Sequence, residues 1–189
     1  MPRVFIAINL PKKTIGKLAD KQKEISLDFD SDPVKWVSSD NLHITLAFLG
    51  QIKKTELKSV EREVEKINFN SFRVNTDEIK YIPNRREAKM IWAIVEDNKK
   101  LQELKKRVED ALKGSDTNYS PDLKEFKPHI TLGRIRTFEF KKISLEEIPL
   151  LEDQFIEDNF EIESFEIMES RLKKGGPEYK IIKSIKSNK

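Results

Sequence analysis

Two copies of one four-residue word hold every histidine of this 189-residue chain: His43-Ile44-Thr45-Leu46 and His129-Ile130-Thr131-Leu132. They lie 86 residues apart (129 − 43). In an extended strand residues i and i+2 share a face. Each word therefore presents one imidazole and one hydroxyl side by side, with its Ile and Leu on the opposite face. Imidazole titrates near about 6.5, so near neutral pH one ring can be protonated while the other is free. That pair can do general acid and general base work together. Hydroxyls beside them suit the non-bridging oxygens of a tetrahedral anion. The chemistry indicated is in-line displacement at a phosphodiester, with His43 and His129 as catalytic candidates and Thr45 and Thr131 as phosphate-binding candidates. One His-x-Thr would carry little, because Thr favours strands anyway; two copies that use both histidines carry much more.

The elements that must position these words follow from periodicity. Arg3 to Asn9 is an apolar run of strand length, and Pro11 suits the first turn of a helix. Ile15, Leu18, Ile25 and Phe29 recur at helical steps, with polar Gln22 an exception, predicting an amphipathic helix over 12–29. A short strand is expected at Val34–Val37 and the first motif strand at His43–Leu49, with Phe48 facing the core alongside Ile44 and Leu46. A helix is expected at 55–69, strands at Phe72–Ile82 and Met90–Val95, and a helix at Asn98–Lys113 on Leu101, Leu104, Val108 and Leu112. The second motif strand is expected over Phe126–Arg136. The stretch 138–151 is ambiguous, and 160–169 and 179–185 read as two further strands around Lys173-Lys174-Gly175-Gly176-Pro177.

Sliding the sequence by 86 lays Val4–Ile8 on Met90–Ile94, with Ala7 on Ala93, and superposes the helix positions as well as the words. The reading is an internal duplication, about 3–50 and 89–136, within one bilobal domain spanning 1–189. Related strands meet at a two-fold axis, so His43 and His129 are expected to face one shared cleft.

Composition narrows the class. Charged residues make up 37% and hydrophobic residues 37%, and the net charge of +3 allows a local phosphate-binding patch without demanding a nucleic-acid partner. There is no cysteine, which excludes disulfides, thiolate metal sites and a Cys nucleophile. Two histidines without an acidic cluster make a poor metal site, so neither metal nor cofactor is expected. No apolar run approaches a membrane span and no leader is evident; a cytoplasmic monomer is expected.

At these words the chain resembles the two-histidine phosphoesterase superfamily, and within it the RNA 2',3'-cyclic phosphodiesterase family, also called 2'-5' RNA ligase. The resemblance covers most of the chain. It lies in Arg3–Ile8, in Asn41-Leu42-His43-Ile44-Thr45-Leu46-Ala47-Phe48-Leu49-Gly50, and in Pro128-His129-Ile130-Thr131-Leu132-Gly133-Arg134. It continues in Ser170-Arg171-Leu172 with Gly176-Pro177-Glu178-Tyr179. The resemblance implies an α+β fold with two antiparallel sheets flanking a central cleft and helices outside. It implies opening of a 2',3'-cyclic phosphate on an RNA end, such as a tRNA half, to a 2'-phosphomonoester. His43 would protonate the leaving 3'-oxygen and His129 would activate water; with a 5'-hydroxyl RNA in place of water, the same groups would make a 2'-5' linkage without ATP. Arg134 matches the family's phosphate-side arginine. Strict alternation places it opposite His129 unless a bulge near Gly133 turns it back, and Arg136 competes for the role.

Phe5 and Tyr179 are candidates for stacking on a base, with core packing as the alternative. Arg85-Arg86 and Lys173-Lys174 could meet phosphates or be solvated charge, and Trp36 and Trp92 read as core. Two other functions stay open: a phosphodiesterase of small cyclic nucleotides such as ADP-ribose 1",2"-cyclic phosphate, or a non-catalytic nucleotide- or RNA-binding module.

Overall fold

The computed structural model describes residues 1–122, 124–151, 154–174 and 176–188, with Phe155 by its backbone alone. In chain order the elements are β1 (Arg3–Asn9), α1 (Lys12–Leu27), β2 (Val34–Trp36), a 3-10 turn (Ser39–Asn41), β3 (His43–Gln51) and α2 (Lys54–Val64). They continue with β4 (Phe72–Ile82), β5 (Met90–Val95), α3 (Lys99–Lys113), β6 (His129–Ile135), α4 (Thr137–Phe140), β7 (Phe155–Ile162), β8 (Ser164–Lys173) and β9 (Gly176–Lys186). Among the described residues no helix is long and apolar enough to cross a membrane.

The strands order as β7-β4-β5-β6-β3-β1-β8-β9, with β2 added on β6, and every pairing between strands is antiparallel. The fold is α+β with antiparallel pairing, as expected, and the two expected sheets are the halves of one nine-stranded sheet. Its two sheet halves are joined at the centre: β3 pairs with β6 through Ile44 and Ile130, so the two motif strands touch. These are equivalent residues of the two words, so the pseudo-two-fold axis runs through this pair. Outward from it lie β3, β1, β8 and β9 on one side and β6, β5, β4 and β7 on the other.

The ladder corrects the sequence alignment by one residue. Ile8 pairs with Ile44 and Ala93 with Ile130, so β1 and β5 are related by 85 (93 − 8) while the words are related by 86. Ala7 therefore corresponds to Trp92, not to Ala93. The reading of 160–169 as one strand is corrected too. β7 pairs with β4 in one half and β8 with β1 in the other, and the chain crosses between them at Glu163. Alternating hydrophobicity runs through that point because both strands bury a face.

The helices follow their apolar stripes. In α3 Leu101, Leu104, Val108 and Leu112 are buried at steps of three and four, and the Asn98 side chain caps the start by accepting from the Lys100 and Leu101 amides. In α1 the buried positions are Thr14, Leu18, Gln22 and Ile25, and the helix stops at Leu27, short of Phe29. Thr14 Oγ1 donates to Asp158 Oδ2 at 2.5 Å and Lys17 Nζ reaches Asp158 Oδ1 at 2.6 Å, which docks α1 on β7. Helix α2 ends at Val64 rather than near Phe69, although Ile67 and Phe69 still reach the core.

At Gly133 the side chains of β2 leave no room for a Cβ on the second motif strand. Trp36 pairs with Gly133, and a Cβ there would meet Val34 Cγ1 at 2.5 Å and Trp36 Cε3 at 3.3 Å. Gly133→Ala is expected to destabilise by about 1–3 kcal/mol through this overpacking. Gly16→Ala, with nothing within 4 Å of the added atom, is expected to stabilise α1 by roughly 0.5–1 kcal/mol. Thermal melting checks both; a Gly133→Ala protein melting at or above wild type would contradict the clash.

Candidate active site

His43 and His129 flank the Ile44–Ile130 pair and both line one cleft of about 2270 Å³, together with Thr45 and Thr131. About that antiparallel pair, alternation sets His43 across from Thr131 and Thr45 across from His129, so the histidines lie on one diagonal. The opposite faces of both strands carry Ile44, Leu46, Ile130 and Leu132 into the core. The four side chains are thus displayed by the strand period itself.

Both rings are oriented by the same local contact. His43 Nδ1 lies 2.7 Å from the Asn41 carbonyl and His129 Nδ1 lies 2.7 Å from the Lys127 carbonyl, each two residues upstream. A carbonyl only accepts, so each Nδ1 carries the proton and donates. Nε2 is left as the nitrogen without a backbone partner in both rings. His43 Nε2 accepts from the Thr45 hydroxyl at 3.0 Å. Asn41 has a second task, since its Nδ2 donates to the Pro177 carbonyl at 2.7 Å and ties the 3-10 turn to β9.

Burial pushes both imidazoles below their ordinary pKa. For His43 the Asn41 carbonyl offsets part of that, while the neighbouring His129 and Arg134 repel a proton further. For His129 the Lys127 carbonyl offsets part. In the free protein at neutral pH neither ring is held protonated, and the charge that a bound anion would bring acts against this depression.

Two matching bulges shape the rest of the cleft. Ala7 pairs with Thr45 and Ile6 with Ala47, leaving Leu46 as the extra residue; Trp92 pairs with Thr131 and Ile91 with Gly133, leaving Leu132 as the extra residue. Each bulge turns the next outward residue back to the cleft side. On β6 that residue is Arg134, which lines the cleft; the bulge sits at Leu132, one residue before Gly133. On β3 it is Phe48, 68% exposed and not in the core as alternation predicts. Arg136 is elsewhere, with Nη1 on Asp32 Oδ2 at 2.8 Å. The bulge on β6 is clamped: the Leu132 carbonyl, freed from the β5 ladder, accepts from the Val37 amide at 2.8 Å and from Gln22 Nε2 at 2.7 Å. The polar exception in the α1 stripe is thereby explained.

Phe5 is only 3% exposed and packs against His43 with ring centroids 5.2 Å apart, so its face is closed to a base. Tyr179 lines the cleft and meets His43 edge-on at 5.3 Å. Trp92 is no simple core residue: it lines the cleft and stacks on His129. Trp36 lines the cleft as well, half-buried beside Gly133. The basic pairs lie outside the cleft lining. Arg85 donates to the Ile148 carbonyl, Arg86 is exposed, Lys173 pairs with Glu178 and Lys174 is exposed. Among the described residues no group of three His, Cys, Asp or Glu side chains is placed to hold a metal.

A family model described as LigT like Phosphoesterase matches residues 8–92 and again 94–179, and the two starts are 86 residues apart (94 − 8). The RNA 2',3'-cyclic phosphodiesterase of Archaeoglobus fulgidus is 30% identical over 134 residues, 71% of this chain and 73% of that protein. The protein of the same name from Methanocaldococcus jannaschii is 28% identical over 181 residues, 96% of this chain and 98% of that one. TT0787 of Thermus thermophilus has a TM-score of 0.81 at 24% identity, covering 97% of both chains. E. coli LigT complexed with 3'-AMP has a TM-score of 0.79 at 21% identity, covering 100% of this chain and 99% of that one; these two similarities speak for the fold alone. Because the family model matches both halves, and with them both histidine words, membership does not hang on one motif: the chain belongs to the LigT-like phosphoesterase family.

Proposed function

We propose that this protein hydrolyses 2',3'-cyclic phosphodiester ends of RNA to 2'-phosphomonoesters. The observation that carries the reading is the pair of imidazoles whose Nδ1 atoms are committed to backbone carbonyls, leaving both Nε2 atoms for proton transfer in one cleft, that of His43 beside the Thr45 hydroxyl. The names of the full-length relatives supply the substrate class. Water oxygen bonds to phosphorus as the P–O3' bond breaks. The water proton passes to His129 Nε2, and His43 Nε2 gives its proton to the 3'-oxygen. Thr45, Thr131 and Arg134 bind the non-bridging oxygens, where negative charge builds up. The step as drawn uses no metal. With a 5'-hydroxyl RNA end replacing water as the nucleophile, the same step forms a 2'-5' linkage: the P–O5' bond forms as the P–O3' bond breaks and the 3'-oxygen takes the proton from His43.

The size of the cleft favours RNA over a small cyclic nucleotide, since pockets for small molecules run to roughly 300–1,000 Å³. Lys99 and Lys106 of α3 also line the cleft, among Glu103, Glu109 and Asp110 of the same helix, and suit a phosphate backbone. Phe48, 68% exposed, lines the cleft with its ring 6.2 Å from that of Phe5, and a base stacks on it in this reading. Phe48→Ala is expected to raise KM roughly tenfold with kcat within about twofold, and alike for all four terminal bases, because every base has a π-face. An effect confined to kcat would remove Phe48 from base binding.

The direct test is product analysis on an RNA with a 2',3'-cyclic end, with and without EDTA. A 2'-phosphate formed at equal rate in both is expected. A 3'-phosphate would overturn the regiochemistry, and loss of activity restored by Zn²⁺ or Mn²⁺ would overturn the metal-free step. The pH dependence follows from the lowered imidazole pKa values. The rate falls in acid as the base is protonated and in alkali as the acid loses its proton. Both ionisations in the free protein lie below about 6.5, so kcat/KM should be bell-shaped with its maximum below about 6.5. A bound anion stabilises imidazolium, so the maximum of kcat should lie at higher pH. These values belong to the interacting pair rather than to either ring. A kcat/KM maximum above about pH 7.5, well past the ordinary imidazole range, would contradict the assignment.

A further inference from the structure

The Trp92 indole lies flat on the His129 imidazole, with ring centroids 3.5 Å apart and planes 13° from parallel. Its counterpart in the other half is Ala7: Ala7 opposes Thr45 as Trp92 opposes Thr131. His43 therefore has no such platform, only a tilted Phe5 and an edge-on Tyr179. A second break in the symmetry stands nearby, with Arg134 on one side where Phe48 stands on the other. We propose that Trp92 is a positioning residue for the base: its ring face fixes the His129 imidazole and favours the imidazolium formed when His129 takes the proton from water.

The face of an indole is electron-rich and attracts a cation set over it. In the proposed step a cation appears on His129 as one disappears from His43. Trp92 favours the first change, and Arg134, which repels a proton on His43, favours the second. Two substitutions thus give a pseudo-symmetric site one direction of proton flow. Among the titratable and charged groups lining the same cleft as His129 are His43 on β3, Arg134 on its own strand, Lys127 just upstream, and Lys99 and Glu103 on α3. From β5 come Met90, Trp92 and Ile94, none of which titrates. Trp92 Nε1 is buried without a hydrogen-bond partner among the described residues, so packing and the ring stack hold this indole.

Trp92→Leu keeps an apolar side chain beside the imidazole and removes the π-face; Trp92→Phe restores a smaller one. Trp92→Leu is expected to lower kcat on a 2',3'-cyclic RNA end about tenfold with KM within about twofold, and Trp92→Phe to recover most of it. The His129 ring signals in proton NMR, assigned by elimination between only two histidines, should titrate at lower pH in Trp92→Leu and near wild type in Trp92→Phe. Leu and Phe variants equally impaired, or a Leu variant with unchanged kcat and unchanged His129 titration, would overturn the proposal. The unaltered protein gives an arm that no folding defect can blur: ring current from the indole should shift the His129 ring protons upfield of those of His43, and equal shifts would overturn the stack. The inference rests on His129 as base. A wild-type protein that turns over no cyclic end would defeat that reading, whereas the NMR arms judge the stack by themselves.

Discussion

His129→Ala and His43→Ala are each expected to lower kcat on a 2',3'-cyclic RNA end by about 10²–10⁴-fold, the range for a positioned acid or base. The double variant should be little worse than the poorer single one, because the two proton transfers belong to one transition state. Folding should survive, since both rings are half-buried on the cleft side while the core face is carried by Ile44 and Ile130, each 0% exposed. Each ring makes its Nδ1 hydrogen bond to a backbone carbonyl, so the stability change should stay near about 1 kcal/mol. The roles separate by leaving group. A 3'-thio cyclic substrate needs no protonation as it departs, so it should restore most of the rate to His43→Ala and none to His129→Ala. Restoration in His129→Ala alone would exchange the two roles, and robust turnover of the ordinary substrate by His129→Ala would remove it as the base.

Much of this site is legible in the residues, and what is not has identifiable causes. The words at 43 and 129 show their faces because a strand alternates, and the helix stripe Leu101, Leu104, Val108 and Leu112 shows its face because a helix turns about every 3.6 residues. Alternation fails where a bulge adds one residue. Leu46 and Leu132 look like ordinary inward positions, yet each shifts the ladder and brings Phe48 and Arg134 to the cleft. The chance match of Ala7 with Ala93 hid the same shift from the repeat alignment, and with it the place of Trp92 across from Thr131. Gln22 did stand out as a polar residue on an apolar stripe. Its reason is a backbone carbonyl freed by the bulge, and only a full account of backbone hydrogen bonds exposes such a partner. Nothing in the type of Asn41 announces that its carbonyl will orient His43, two residues on. The crossing at Glu163 was hidden because β7 and β8 both alternate while pairing in opposite halves.

Arg134→Met should lower kcat by about 10²–10³-fold, the cost of removing one preorganised donor from a developing anion. Arg136→Met should leave kcat within about twofold. The two arginines stand two residues apart and differ in what they face. The bulge at Leu132 turns Arg134 into the cleft, near enough to His43 to oppose its protonation. Arg136 spends its guanidinium on Asp32, in a pair whose side chains are 44% and 70% exposed, and such a pair contributes roughly 0–1 kcal/mol to stability. Removing Arg134 also lifts a repulsion from His43, so the His43 ring should titrate at higher pH in Arg134→Met while His129 moves less. That shift opposes the loss of rate, which makes the two measurements independent. A slow Arg134→Met enzyme with His43 titrating higher is the signature of a phosphate-binding cation beside the acid. A fast enzyme with unmoved titration would return Arg134 to solvated charge, and loss of rate in Arg136→Met would mean that the strand slips to present it instead.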